Sequence, residues 1–118
     1  MPTYPSKEFK LLAEQIQQLA PGRGAAICTD RITVDGCPVG YLYRAEPDWE
    51  QDSGWVFTAG DESEAYMDDA SNLAFYNVNT VANYDPEIIP LLDAPVGSAF
   101  YRTENGFEPD PEGAPTEG

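Results

Sequence analysis

The chain has 118 residues, 42% of them hydrophobic, with six bases, twenty-one acids and no histidine, for a formal charge of −15. That length suits one domain with a real core, and that charge repels nucleic acid and anionic membrane surfaces. The missing histidine excludes Ser-His-Asp and Cys-His catalysis and the usual zinc sites within one chain.

Residues 6–20 predict a helix. Phe9, Leu12, Ala13, Ile16, Leu19 and Ala20 recur at the 3.6-residue period as one apolar stripe, with Ser6 as N-cap and Pro21-Gly22 as the stop. Its polar face carries Gln15, Gln17 and Gln18 rather than a basic row, so the stripe is expected to pack on a sheet and not on a membrane. Residues 25–34 and 38–44 predict a hairpin about Asp35-Gly36, because both turn positions tolerate positive φ. In that register Cys28 faces Tyr43, several pairs from Cys37, too far for a disulfide. Both cysteines are expected to be free thiols.

Residues 46–54 predict a loop, 55–59 a buried strand, 63–67 one helical turn and 73–78 another strand. Residues 79–93 are ambiguous, because Pro86, Pro90 and the following Pro95 forbid a long element. A short helix over residues 86–92 is expected there, with Asp85 as N-cap and Pro86 at the first helical position. Residues 97–107 predict a second hairpin, turning at Asn105-Gly106. Residues 108–118 alternate proline, glycine and acid without an apolar anchor and predict a disordered acidic tail. The fold class is α+β, an N-terminal helix packed on a mainly antiparallel, hairpin-rich sheet, in a single domain of residues 1–107. No apolar run is long enough to span a bilayer and residues 1–10 lack a signal-peptide pattern, so a cytoplasmic protein is expected.

Chemistry concentrates in residues 41–69, where aromatic strands meet acidic loops. Between Arg44 and Arg102 the chain has twelve acids and no Lys or Arg. Dense acid is in the first place a solvated face. Paired carboxylates can cleave glycosides, but they need a sugar-sized cleft that a domain this small rarely builds, so no catalytic residue is assigned. Asp48-x-Glu50-x-Asp52 begins like an EF-hand loop, yet Ser53 and Ala59 stand where that loop requires Gly and Glu. A looser calcium set would be Asp52, Asp61 and Glu62. The signal is weak, and neither metal nor cofactor is assigned. Gly22-Arg23-Gly24 is too short for a phosphate or dinucleotide loop and follows a helix rather than a strand.

Tyr41, Tyr43, Trp55, Phe57, Phe75 and Tyr76 lie in predicted strands, and most are expected in the core. Trp49 lies in a loop between acids, where it can anchor a protein partner or fold back over the sheet. The partner-binding set is therefore Asp48, Trp49, Glu50, Asp61, Glu62, Asp68 and Asp69. Arg44 is expected to pair with Glu46, Asp52 or Asp61.

Several of these residues form a longer pattern. Tyr43-Arg44-x-x-Pro47, Asp52-Ser53-Gly54-Trp55 and Gly60-Asp61-Glu62 with Tyr66-Met67 come first. Asn79-Thr80-x-Ala82-Asn83-Tyr84-Asp85-Pro86-x-Ile88-Ile89-Pro90-Leu91-Leu92 follows, ending in Pro95-Val96-Gly97-Ser98-Ala99-Phe100. Over residues 26–107 the chain resembles the immunity-protein-33-like domain family. The resemblance implies a bacterial, mostly β domain. It also implies a non-enzymatic immunity protein of a polymorphic toxin system, whose partner is a cognate toxin bound directly. The acidic charge suits a basic toxin. The alternative is a housekeeping domain that binds a small ligand, a metal or another protein.

Overall fold

The computed structural model describes Leu11 and residues 15–113. Three central strands turn alternate side chains to one side: β1 (Ala25–Thr29), β2 (Tyr41–Arg44) and β3 (Asp52–Thr58). Ala26, Cys28, Leu42, Trp55 and Phe57 are buried there. Helix α1 (Asp30–Thr33), helix α3 (Val78–Tyr84) and the 3-10 segment Pro86–Leu91 join them in one core through Ile32, Val78, Val81, Ala82 and Ile88. Helix α2 (Glu64–Asp68) has no buried residue. With β4 (Leu73–Asn77), β5 (Ala99–Thr103) and β6 (Gly106–Pro109), the sheet has six strands in the order β4-β1-β3-β2-β5-β6. Only β1 and β3 run parallel, so the chain is a mixed α/β fold on a mainly antiparallel sheet.

The expected first hairpin does not form. β1 lies between β3 and β4, and Cys28 pairs with Phe57 and Ala74 rather than with Tyr43. Asp35-Gly36 instead closes α1. Gly36 has φ +79, its N–H reaches the Ile32 carbonyl, and the Cys37 N–H reaches the Arg31 carbonyl. A glycine of positive φ serves a helix C-terminus as well as a hairpin. Burial of Ile32 selects the helix. The cysteines are nonetheless free, Cys28 buried and Cys37 half-buried. Burial, ahead of the fields of Glu62 and Asp30, pushes the Cys28 thiol well above its ordinary value.

The expected helix over residues 6–20 lies mostly outside the described residues; of its described end, Gln15 is in 3-10 conformation and residues 16–20 are not helical. Side chains of α3 take the backbone groups that a helix would have used. Asn79 Oδ1 accepts from the N–H groups of Leu19 and Ala20, while Asn83 Oδ1 accepts from Gln17 N–H. Both asparagine amides donate to the Gln17 carbonyl at 2.8 Å.

Later elements follow their local signals more closely. Ser63 caps α2 by accepting from Tyr66 N–H, and Asp85 caps the segment Pro86–Leu91 by accepting from Glu87 N–H. Helix α3 was not resolved from sequence, although its buried Val78, Val81 and Ala82 have helical spacing. The second hairpin forms, but Thr103 pairs with Gly106, so the turn is Glu104-Asn105, one residue earlier than expected. Glu108 and Pro109, assigned to the tail from sequence, pair in β6, and Asp110 N–H reaches the Ala99 carbonyl. Residues 114–118 lie outside the described residues.

Candidate functional site

Two motifs shape the frame of the sheet. Between Ala25 and Ile27 the β1–β3 register shifts, and β3 accommodates Ser53 and Gly54 there. Gly54 has φ +85, and a Cβ on it would stand 2.1 Å from the Ala45 carbonyl oxygen, so only glycine fits. Ser53 Oγ donates to the Ala25 carbonyl at 2.6 Å. The second motif ends at Asp85, which is 5% exposed. Its carboxylate accepts from Val39 N–H, Glu87 N–H and the Arg102 guanidinium, joining three segments. Arg102 also donates to Glu87 and the Val39 carbonyl and lies 4.3 Å from the centre of the Phe107 ring.

The other face of the sheet carries the alternate positions. One row crosses it through paired residues: Phe75, Ile27, Val56, Tyr43 and Ala99. A second row runs through Thr58, Tyr41, Tyr101 and Glu108. Phe75 (53%), Trp49 (41%) and Tyr101 (40%) are exposed, three of the five large hydrophobic side chains that are exposed among the described residues. Phe75 was expected in the core with the other strand aromatics. It faces outward because its neighbours Ala74 and Tyr76 pair with the core residues Cys28 and Ala26. That parity is the signal by which the sequence could have assigned it. Tyr41 and Tyr43 share its face, with Met67 of α2 beside them around a shallow depression of about 230 Å³.

Trp49 meets Phe75 edge to face, ring centres 4.9 Å apart at 73°. The loop that presents it, residues 45–51, is pinned by Asp52, whose carboxylate accepts from the N–H groups of Asp48 and Gly54. Asp52 N–H in turn reaches the Trp49 carbonyl at 3.0 Å.

The acids named from sequence separate into different roles. Asp48 and Glu50 are exposed on either side of Trp49, and Asp68 and Asp69 are exposed just before the turn Ala70–Asn72 that leads into β4. Asp69 accepts from the hydroxyl and N–H of Ser71, which lowers its pKa. Asp61 is exposed but bound to Arg31 at 2.6 Å, and that guanidinium holds its carboxyl below the usual range. Glu62 turns inward, accepting from the Thr29 hydroxyl at 2.6 Å and from the N–H groups of Ala59 and Gly60. It is half-buried, holds these three donors and also lines the depression beside Tyr41 and Tyr43. Among the described residues no three acids or thiols converge as a metal site would require, and Asp52, Asp61 and Glu62 each face different protein donors. Arg44 pairs with none of its expected acids. It donates to the carbonyls of Ser53 and Ala94, with its guanidinium carbon 5.7 Å from the Trp55 ring centre.

No described helix is long and apolar enough to cross a membrane. The immunity protein Imm33 domain matches residues 26–108, the span that contains both framing motifs and the Trp49–Phe75 face. No curated protein and no solved structure gives a significant match.

Proposed function

The chain belongs to the immunity protein Imm33 domain family, and on that premise we propose that it neutralises a toxin by direct protein–protein binding. The partner is a basic toxin domain, and the docking surface is the sheet face opposite α1, α3 and the segment Pro86–Leu91. Trp49 and Phe75 are its apolar anchor, and Asp48, Glu50, Asp68 and Asp69 are its acidic rim. Asp61 adds less because Arg31 already neutralises it. The protein acts by occlusion and not by catalysis.

The observation that carries this reading is the exposed Trp49–Phe75 pair on a pinned loop. Two partly exposed aromatic rings near exposed carboxylates suit an anchor of low ordering cost with a charged surround. Charge at such a rim acts mainly on the encounter rate, and the anchor mainly on dissociation. The test is binding kinetics against a basic toxin domain from the source organism, at several salt concentrations. Trp49→Ala is expected to speed dissociation by an amount worth about 2 kcal/mol or more. Asp48→Lys with Asp68→Lys is expected to slow association about tenfold or more at low ionic strength and to flatten its salt dependence. Unchanged kinetics in both variants would remove this face from the interface.

A further inference from the structure

The arginines of this acidic chain are few, yet two of them converge. Arg23 sits in the Gly22-Arg23-Gly24 turn, where both glycines have positive φ. The turn is pressed on the start of β3: a Cβ on Gly24 would come within 2.3 Å of the Gln51 carbonyl oxygen. Arg44, at the end of β2, pairs with Trp55 and so lies on the helix-covered side of the sheet, opposite Phe75. Between the two arginines is a hollow of about 320 Å³, walled by Arg23, Arg44, Ser53, Trp55 and Leu92, with Asp93 beside it. That volume lies at the lower end of small-molecule sites.

Both guanidiniums are prepared for an anion. Arg44 is held by two carbonyls at 2.8 Å and stands over Trp55, but among the described residues it has no ion pair. Asp93, the ion-pair partner of Arg23, is the carboxylate whose field Arg44 shares across the hollow. Arg23 binds Asp93 at 2.7 Å, and the Asp93 side chain is 86% exposed, a single surface contact that water can replace.

We propose that this hollow binds a small oxyanion, the phosphate or carboxylate group of a small molecule, between Arg23 and Arg44. Asp93 is the chain's own stand-in, and the ligand displaces it from Arg23. The planar guanidinium fork matches phosphate and carboxylate oxygens, and the carbonyls that fix Arg44 reduce the ordering cost of binding. The site stands independently of the toxin-binding face.

The experiment is an NMR titration of the full chain at constant ionic strength, with inorganic phosphate in one arm and acetate in the other. Saturable shifts are expected at Arg23, at the Arg44 Nε–H and at the Trp55 indole N–H. Saturation by phosphate alone assigns a phosphate-bearing ligand, and saturation by acetate alone a carboxylate. Arg23→Gln is expected to weaken binding about tenfold or more. Asp93→Asn is expected to tighten it, because the internal competitor is gone. Glu104→Gln, the same charge change on the distant Glu104-Asn105 turn, is expected to alter it less than about twofold. The proposal is overturned if neither anion saturates these signals, or if Asp93→Asn tightens binding no more than Glu104→Gln.

Discussion

The face of the sheet that carries Trp55 and Phe57 and the face that carries Phe75 differ in what surrounds their rings. Trp55 and Phe57 stack at 5.9 Å beneath α3 and the segment Pro86–Leu91, and neither reaches water appreciably. Phe75 has one described aromatic contact, Trp49, and more than half of it remains exposed. The motifs Asp52-Ser53-Gly54-Trp55 and Asn83-Tyr84-Asp85-Pro86 serve the bulge, the segment cap and the buried Arg102 contact, all parts of the frame. The Trp49 loop and the acids near it are presented by that frame without building it. The comparison teaches that Asp52-Ser53-Gly54-Trp55 and Asn83-Tyr84-Asp85-Pro86 secure the fold, while Tyr43 and Met67 of the same family pattern lie on the opposite face, which carries the proposed docking surface.

The comparison breaks if the two faces respond alike to substitution. Trp55→Ala is expected to cost about 3–5 kcal/mol in chemical unfolding, since it empties the centre of the core. A loss below about 1 kcal/mol would place Trp55 outside the core. Gly54→Ala is expected to cost about 1–3 kcal/mol, because the left-handed backbone and the Ala45 carbonyl both oppose a side chain there. Equal stability of that variant would show that the bulge relaxes freely.

The outer face sharpens the contrast at smaller amplitude. Trp49→Ala and Phe75→Ala are each expected to change fold stability by less than about 1 kcal/mol, with a coupling of about 0.5 kcal/mol in a double-mutant cycle. Zero coupling would show that the two rings do not meet in solution. The smallest effect is expected at Asp61. Arg31 lowers its folded pKa, so its contribution to stability is present at neutral pH. That contribution is lost as pH falls from the unfolded value of about 3.9 through the lowered folded one. Urea midpoints of the parent and Asp61→Asn should therefore differ slightly near pH 7, converge in strong acid and converge also in high salt. A gap that widens in acid would contradict the Arg31–Asp61 pairing.

Much of the local structure was legible from sequence because one residue type had one physical use. Asp85 can cap, Pro86 can open a helix, and an apolar run such as 55–59 is expected to be buried; the structure uses the first two in that way and buries the run through Thr58. The acidic surface was legible in bulk but not in role. Glu62 and Asp61 look alike beside each other in the chain, yet one is folded onto Thr29 and the other pairs with Arg31. Trp49 stood out by its loop and its acidic neighbours. Phe75 did not, because its parity has meaning only once β4 is paired with β1.

By itself the sequence determined the charge, the absence of histidine chemistry, the cap at Asp85, the second hairpin and the family. These rest on residue identity and on contacts a few positions apart. Tertiary structure decided everything that depended on which distant segment arrives. Asp35-Gly36 suits a hairpin or a helix end equally well, and it ends α1 because Ile32 finds the core while β3 arrives beside β1. Residues 16–20 carry a helical stripe, yet they are irregular where Asn79 and Asn83 take their backbone groups from 59 to 66 residues away in the chain. Local preference differs by only a few tenths of a kcal/mol to about 1 kcal/mol per residue, and burying a large side chain or satisfying several backbone groups at once outweighs it.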